Sequence, residues 1–473
     1  MGRAGGREAR FASPGLQIAY RSDFPPCNPG LQCKNARRLN CRRFFLGSML
    51  NINILRENPD LVKAGGRKKH IPCDEAVDRI LELDEKRKKL LFESEELRAA
   101  QKKVGKEIAT LEGDEKQAMI AEMGEIAGRI KAYEKELGPL EEELESQMLL
   151  VPNIPAPEVP DGKTDEDNVL VREWGEVPQF DFPIKDHLEI GEELDLIDMK
   201  GAAKLAGSRT YILKNEGALL ELAVLQFTLN HLVEKGFSPM LVPTLVRREP
   251  MVGTAYFPGG EEQAYACERD RKYLIGTSEV PVTAYHSGEI LAEADLPRLY
   301  AGYSTCYRRE AGAAGRDTRG LYRIHQFNKV EQVVVCRNDD EESLRFHEFI
   351  LANAEEVVQA LELPYRVVNV CGGDLGQPQI QKFDIETWMP SRESYGETHS
   401  ASRFHDFQSR RLDLRYRDEA GKVHFCHTLN NTAIASPRIL ISILEINQEA
   451  DGRIRIPGVL QSYMGGREYI GPK

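Results

Sequence analysis

The stretch Tyr303–Cys336, YSTCYRREAGAAGRDTRGLYRIHQFNKVEQVVVC, decides how the rest of the chain is read. Two alternating runs flank a Gly-rich basic loop, a pattern that predicts a long β-hairpin. Period two places Arg323, His325, Phe327 and Glu331 on one face of the second run. In the first run Arg308 and Glu310 share a face. Two guanidinium forks suit phosphate or carboxylate. An aromatic ring can stack a planar base, and a carboxylate can meet a cation or a hydroxyl. The competing reading is a salt-bridged, solvated sheet face.

Outward from this hairpin, 473 residues allow two or three domains with a large core. No apolar run approaches the ~20 residues of a membrane helix. A net charge of −12 argues against a basic coat for nucleic acid but leaves room for a local basic patch. The nine cysteines form no CxxC pair, so free thiols in a reducing compartment are expected and no structural zinc pattern is seen.

Residues 1–48 carry nine Lys or Arg against two acids, Glu8 and Asp23, a formal +7. A disordered tail, a transit-like peptide and an upstream extension before Met49 compete here. The extension is the expectation, with a cytoplasmic protein. From Asp74 the pattern becomes helical. Ile80, Leu83, Leu90, Leu97, Val104, Ile108 and Leu111 recur at heptad spacing, with polar Arg87, Ser94 and Gln101 interrupting. After a turn at Gly113–Asp114, a 4-3 repeat runs from Met119 through Leu144 to Gln147. These predict a thin antiparallel coiled-coil hairpin over about 74–148, each arm roughly 50–60 Å long. Its first helix carries Lys86, Arg87, Lys89, Lys102, Lys103 and Lys106, a stripe that is either a solvated face or an RNA-backbone contact. The prolines at 152, 155, 157 and 160 make 151–175 a stiff polar linker between an N-terminal domain (49–150) and a second domain (176–473).

YRREAG followed by DTRGLYRIHQFNKVEQ resembles motif 2 of the class II aminoacyl-tRNA synthetases, in the form found in seryl-tRNA synthetases. MLNINILRENPD from Met49, KDHLEIGEELDLID and DGRIRIPGVLQSYMGG are similar to that family as well. Ala218–Lys235 with the following strand, interrupted by Pro243, resembles motif 1, which implies a homodimer interface. His427–Arg438 resembles motif 3. The fold implied is α+β: an antiparallel-sheet class II catalytic domain with an N-terminal helical hairpin. The activity implied is ATP-dependent serine activation and transfer to tRNA(Ser), and also tRNA(Sec), with Mg²⁺ on the ATP phosphates.

The resemblance also implies roles. Arg308 and Arg323 would be catalytic, bridging phosphates and carboxylate. Thr277, Ser278, Glu279, Arg308, Glu331, Asn430 and Thr432 would surround serine. Arg308, Arg309, Glu310, Arg323, Ile324, Phe327, Glu397, Thr398, His399, Ser400 and Arg438 would surround ATP, with Phe327 and Arg438 sandwiching adenine. Glu397 and Ser400 would hold Mg²⁺. The basic stripe would bind tRNA, and Arg316 and Arg319 would reach its acceptor end. Alanine would be rejected because it leaves Glu331 and Thr432 unpaired. Two departures stand out: Thr398-His399 where a small aliphatic and Ser are usual, and N-N-T-A (430–433) where N-G-S-G is common. His399 is expected as a satisfied surface residue, and the glycine loss puts the shape of a turn at 431–433 in doubt. Competing classes are an amino-acid-activating relative serving a carrier protein, which lacks the arm, and a catalytically dead scaffold, which would lack Arg308, Glu331 or Arg438.

Overall fold

The computed structural model describes residues 50–108, 112–312 and 319–471, without the side chains of Lys106 and Glu107. The basic extension 1–48, Arg316 and the Lys106 side chain lie outside the described residues. Helices α1 (Asp74–Ile108) and α2 (Gly113–Leu150) form the expected hairpin. At 35 and 38 residues they are about 52 and 57 Å long. The base of the arm is a true core: Ile80, Leu83, Leu144 and Met148 pack with Leu55 and Val62 of two short preceding helices. Further out the seam is mostly half-buried, although Ser94, Ile130 and Leu137 remain buried. Ion pairs cross it at Arg79–Glu143 (2.7 Å), Arg87–Glu141 (3.0 Å) and Arg98–Glu134 (2.8 Å). Exposed pairs of this kind add well under ~1 kcal/mol each, so they set register more than stability. Ser94, one of the polar seam positions, is fully buried, and its hydroxyl has no hydrogen-bond partner among the described residues.

The second half is built on one eight-stranded sheet. Its strands are β1 (Val169–Trp174), β2 (Ser238–Leu241), β3 (Arg298–Tyr307), β4 (Gln326–Cys336), β5 (Tyr365–Asn369), β6 (Gln381–Met389), β7 (Ser394–His405) and β8 (His427–Ser436). Their spatial order is β1-β5-β6-β7-β8-β4-β3-β2, antiparallel except where the edge strand β2 runs parallel to β3. Helices α3 (Asn215–Glu234), α4 (Asp340–Ala360) and α5 (Arg438–Ile446) share its apolar core, which includes Val330, Val334, Ile350, Val357, Leu429 and Ile434. One expected boundary is corrected. Residues 169–174 of the linker are the edge strand β1, paired with β5. The prolines mark only the part before it, and even there Asn153 is pinned by its Nδ2 to the carbonyls of Pro378 (3.0 Å) and Phe404 (2.8 Å).

The hairpin is also shorter than the alternation predicts. Its ladder ends at Tyr307↔Gln326. One more rung follows, Arg308 N–H to the His325 carbonyl (2.9 Å). Then the next donors leave the ladder: Arg309 N–H bonds Gln263 O and His325 N–H bonds Arg209 O. Glu310 takes a left-handed φ of 53°. Arg308, Glu310, Arg323 and His325 therefore sit on loop ends, and period two does not set their faces; it does set those of Phe327 and Glu331.

The arm is tied down at Lys69, which is buried at the end of the helix before α1. Its ammonium donates to the carbonyls of Gly376 (3.2 Å) and Gln377 (3.0 Å), and also to that of Gln379. Lys69→Met removes all three donors while nearly keeping the volume. It is expected to lower stability by about 2–3 kcal/mol, read as a lower urea midpoint. An unchanged midpoint would show the latch to be dispensable.

Candidate active site

A cavity of about 1410 Å³ opens on the face of the sheet made by β4, β6, β7 and β8. Each strand sends alternate residues into it: Phe327, Lys329 and Glu331 from β4, Lys382 from β6, and Asn430 and Thr432 from β8. From β7 come Glu397 and the run Thr398-His399-Ser400, where the register slips opposite Ile385–Glu386. Arg308, Glu310, Tyr322, Arg323 and Ile324 enter from the loop ends of the β3–β4 hairpin, and Arg438 from the start of α5.

One end of the cavity holds two buried carboxylates. Glu331 pairs with Lys329 and accepts a long hydrogen bond from Thr432 Oγ1 (3.3 Å). Glu279 accepts from Gln408 Nε2 (2.7 Å) and from the Tyr256 hydroxyl (3.4 Å). Burial, and next the charge of Glu331, push the Glu279 carboxyl up to about 7, against the pull of Gln408, Lys329 and Asn430. Two acids against one lysine leave room for one more cation.

The other end is rich in arginine. Arg323 Nη1 bonds Glu310 (2.9 Å), and the Arg308 guanidinium lies 5.2 Å over the Phe327 ring. Arg438 donates to the carbonyls of Tyr322 (3.0 Å) and Glu397 (2.8 Å) and lies 4.4 Å over the Tyr322 ring. Glu397 opens onto the cavity with half its side chain accessible. Its enclosure by protein opposes ionisation, but Arg438, then Lys382, Arg308 and Arg323, hold its carboxyl below the usual range. Behind it, burial raises Asp384 to about 7 although Lys382 lies 3.2 Å away. Asp384 Oδ1 has no hydrogen-bond partner among the described residues.

The sequence matches known proteins along most of its length. Residues 49–155 fit the description "Seryl-tRNA synthetase N-terminal domain", and residues 265–447 fit "tRNA synthetase class II core domain (G, H, P, S and T)". The serine–tRNA ligase of Deinococcus radiodurans is 46% identical over 423 residues, covering 89% of this chain and 99% of that protein. That of Dictyoglomus turgidum is 44% identical over 427 residues, covering 90% of this chain and 100% of that protein. The crystal structure of the Pyrococcus horikoshii seryl-tRNA synthetase complexed with ATP superposes with a TM-score of 0.84 at 42% identity, over 90% of this chain and 100% of that one. The chain belongs to the seryl-tRNA synthetase family.

Within this seryl-tRNA synthetase family member, several expected site residues stand elsewhere. Ser278 is buried and donates to the Gly302 carbonyl (2.9 Å), so it braces β3 and does not line the cavity. Thr277 lies behind the wall, where its Oγ1 accepts from the Glu279 backbone N–H (3.2 Å). Arg309 is exposed and outside the wall, because Gln263 holds its backbone away from it. His325 turns to the Arg308 carbonyl (3.0 Å) and to Tyr265. Arg319 is exposed and paired with Asp186 (3.0 Å). On the arm, Lys86, Lys89, Lys102 and Lys103 are exposed, whereas Arg87 is half-buried and engaged with Glu141.

The two departures from the family pattern are neighbours in space. His399 is buried, not on the surface; its Nδ1 is 2.8 Å from Thr398 Oγ1, and the Ala433 backbone faces its ring. Burial pushes its pKa down to about 4, so it is neutral. N-N-T-A is not a turn but the interior of β8, with a bulge between Thr432 and Ile434. No residue of 430–433 has positive φ, so glycine is not required. Asn431 points away from the cavity, donating to the Ile350 carbonyl (2.5 Å).

The sequence reading passed over Lys329, although the period that groups Phe327 with Glu331 includes it. It also missed Tyr256 and Gln408, distant in sequence and without a local signal, and Asp384 and Lys382.

A ligand ammonium beside Glu279 favours its ionised form, so below pH 7 binding must expel a proton. The apparent affinity for L-serine is expected to fall about tenfold from about pH 8 to about pH 6. Glu279→Gln should weaken binding and flatten that profile. Titration calorimetry checks this; a flat wild-type profile would remove Glu279 from the amino-group site.

Proposed function

We propose that this chain is a serine–tRNA ligase that works in two steps in the cavity described above. A serine carboxylate oxygen attacks the α-phosphorus of ATP; the bond to the β-phosphate oxygen breaks and pyrophosphate leaves. A hydroxyl of the terminal adenosine ribose of tRNA(Ser) then attacks the acyl carbon, its proton is lost and AMP departs. The observation that carries this reading is the pairing, in one cavity, of an ammonium-seeking end (Glu279, Glu331) with an arginine-rich, anion-seeking end (Arg308, Arg323, Arg438). No protein nucleophile is required: the residues align the reactants and offset developing charge.

In this reading Glu279 and Asn430 take the amino group. Glu331 and Thr432 take the serine hydroxyl by opening their long 3.3 Å bond. That bond refines the expected rejection of alanine: the empty pair satisfies itself, so alanine loses the exchange of bonds and does not strand two bare groups. Arg308 bridges the serine carboxylate and the α-phosphate, and Arg323 exchanges Glu310 for phosphate. Phe327 supports the adenine, with Arg438 covering its other face. Ile324 offers its backbone, and Thr398, His399 and Ser400 wall the nucleotide. The donor set suits Mg²⁺: Glu397 and Ser400 are hard oxygen ligands, and the buried Asp384 Oδ1, on the neighbouring strand, has no hydrogen-bond partner among the described residues. Bound there, Mg²⁺ would neutralise charge on the ATP phosphates.

The arm's exposed lysines would contact the tRNA backbone. A homodimer is part of the same proposal. The edge strand β2 leaves Leu241 82% exposed, and α3 exposes Leu219, Leu222 and Val233 alongside. Among the described residues no helix is long and apolar enough to cross a membrane.

Serine-dependent ATP–pyrophosphate exchange tests the activity; exchange with another amino acid and none with serine would overturn it. Deleting residues 75–148 is expected to leave exchange near wild type and to abolish tRNA charging. Loss of both would mean the arm serves the catalytic fold instead. Leu222→Asp should convert a dimer to monomer by light scattering, and an unchanged mass would move the interface elsewhere.

A further inference from the structure

Away from the cavity, Asp340, His405 and His427 bring three ligand groups within 4.8 Å of one another. Asp340 opens α4, His405 ends β7 and His427 begins β8. None of the three lines the large cavity.

The local structure gathers them. β7 slips register against β8 between Arg403 and His405, and His405 takes a left-handed φ of 50°. A bulge of this kind re-aims a side chain. Here it stacks His405 on His427, with ring centroids 4.6 Å apart and planes at 19°. His405 Nε2 lies 3.3 Å from Asp340 Oδ1 but makes no hydrogen bond. His427 is 3% exposed, and its Nδ1 has no hydrogen-bond partner among the described residues. A buried imidazole nitrogen without a partner is costly. His405 Nε2 and His427 Nδ1 are thus both buried ring nitrogens without a hydrogen-bond partner among the described residues.

We propose that Asp340, His405 and His427 form a binding site for a divalent transition ion of the zinc class. Two imidazoles and one carboxylate fit Zn²⁺ with solvent as fourth ligand, and imidazole disfavours Mg²⁺ or Ca²⁺. Bonds of ~2.0–2.2 Å require ligand atoms roughly 3.3 Å apart. The His405–Asp340 edge already has that length. The remaining closure falls to the half-buried His405, whose ring must turn out of its stack on His427 so that the in-plane lone pairs converge, and to Asp340, whose side chain is 75% exposed. Nearby charge is mixed: Arg403 opposes a dication, while Asp340 and Asp406 favour it. Asp406 is also paired with Arg410 (2.8 Å).

The site adjoins the cavity's acidic end through the backbone. Gln408 follows His405 by three residues and accepts from the hydroxyl of Thr428, the neighbour of His427, at 2.7 Å. The same Gln408 donates to Glu279. An ion here would fasten the two strand ends that place Gln408.

The full chain, stripped with a chelator, is titrated with Zn²⁺ and with Co²⁺. The expected result is one equivalent bound outside the thiols, a raised Tm, and Co²⁺ visible absorption without a thiolate charge-transfer band. Asp340→Ala leaves the helix cap at Asp339 intact, and His405→Gln changes a half-buried side chain. Each should weaken binding at least ~tenfold and lose the Co²⁺ band, with circular dichroism unchanged. No Tm shift and no band in the wild-type protein would overturn the site. So would equal binding by both variants, or a thiolate band placing the metal on cysteine.

Discussion

Two buried carboxylates face a single ammonium at one end of the cavity, and much of the fold serves to keep them there. Glu331 pairs with Lys329, while burial and the charge of Glu331 push Glu279 up to about 7 in spite of its hydrogen bond from Gln408. Taking a carboxylate out of water costs several kcal/mol even after relaxation. Such a pair persists only on a rigid support. That support is the centre of the sheet: β4 lies between β3 and β8, and its Val330, Val333 and Val334 are completely buried. The acid excess at this end favours a cationic group over a neutral one.

The opposite end follows a different rule. Its arginines already have acceptors: Arg323 has Glu310, and Arg438 has two carbonyls. These bonds hold the guanidinium groups in place before any anion arrives. A phosphate entering here exchanges partners and does not order free chains, so little side-chain entropy is lost on binding. The acids that hold the arginines also keep the site near neutrality, and Glu397 stays ionised because four cations surround it.

The legible parts of the sequence were those governed by a period. Heptads fixed the arm, and alternation placed Phe327 and Glu331 on one wall. Period failed where the backbone left the ladder. Arg308, Glu310 and Arg323 reach the cavity from loop ends whose donors are claimed by Gln263 and Arg209. Residues 169–174 read as linker because a strand at the sheet's edge, exposed along its length, carries no buried stripe to count. Gln408 and Tyr256 reach Glu279 across 129 and 23 residues of chain, a closeness that only the folded sheet creates. The motif resemblance found the site's neighbourhood, yet Ser278 and Arg309 show that adjacency to a motif does not aim a side chain.

The arm and the cavity, far apart in sequence, share a wall. The loop Gly376–Gln379 lines the cavity, and its carbonyls receive the Lys69 ammonium from beneath the arm. Arg411 adds a second tie, donating to Leu149 at the end of α2 and to Val252. Both cations are buried and both are pushed below their ordinary pKa by that burial, so each depends on its carbonyl ring to remain. Tilting the arm would pull the Lys69 ammonium away from its three carbonyls and take the Leu149 carbonyl from Arg411. The base of the arm is therefore fixed to the wall of the cavity, and flexibility is confined to the thin outer seam, where burial is partial and the ion pairs are weak. A macromolecule gripping the outer arm can bend it without disturbing the pocket.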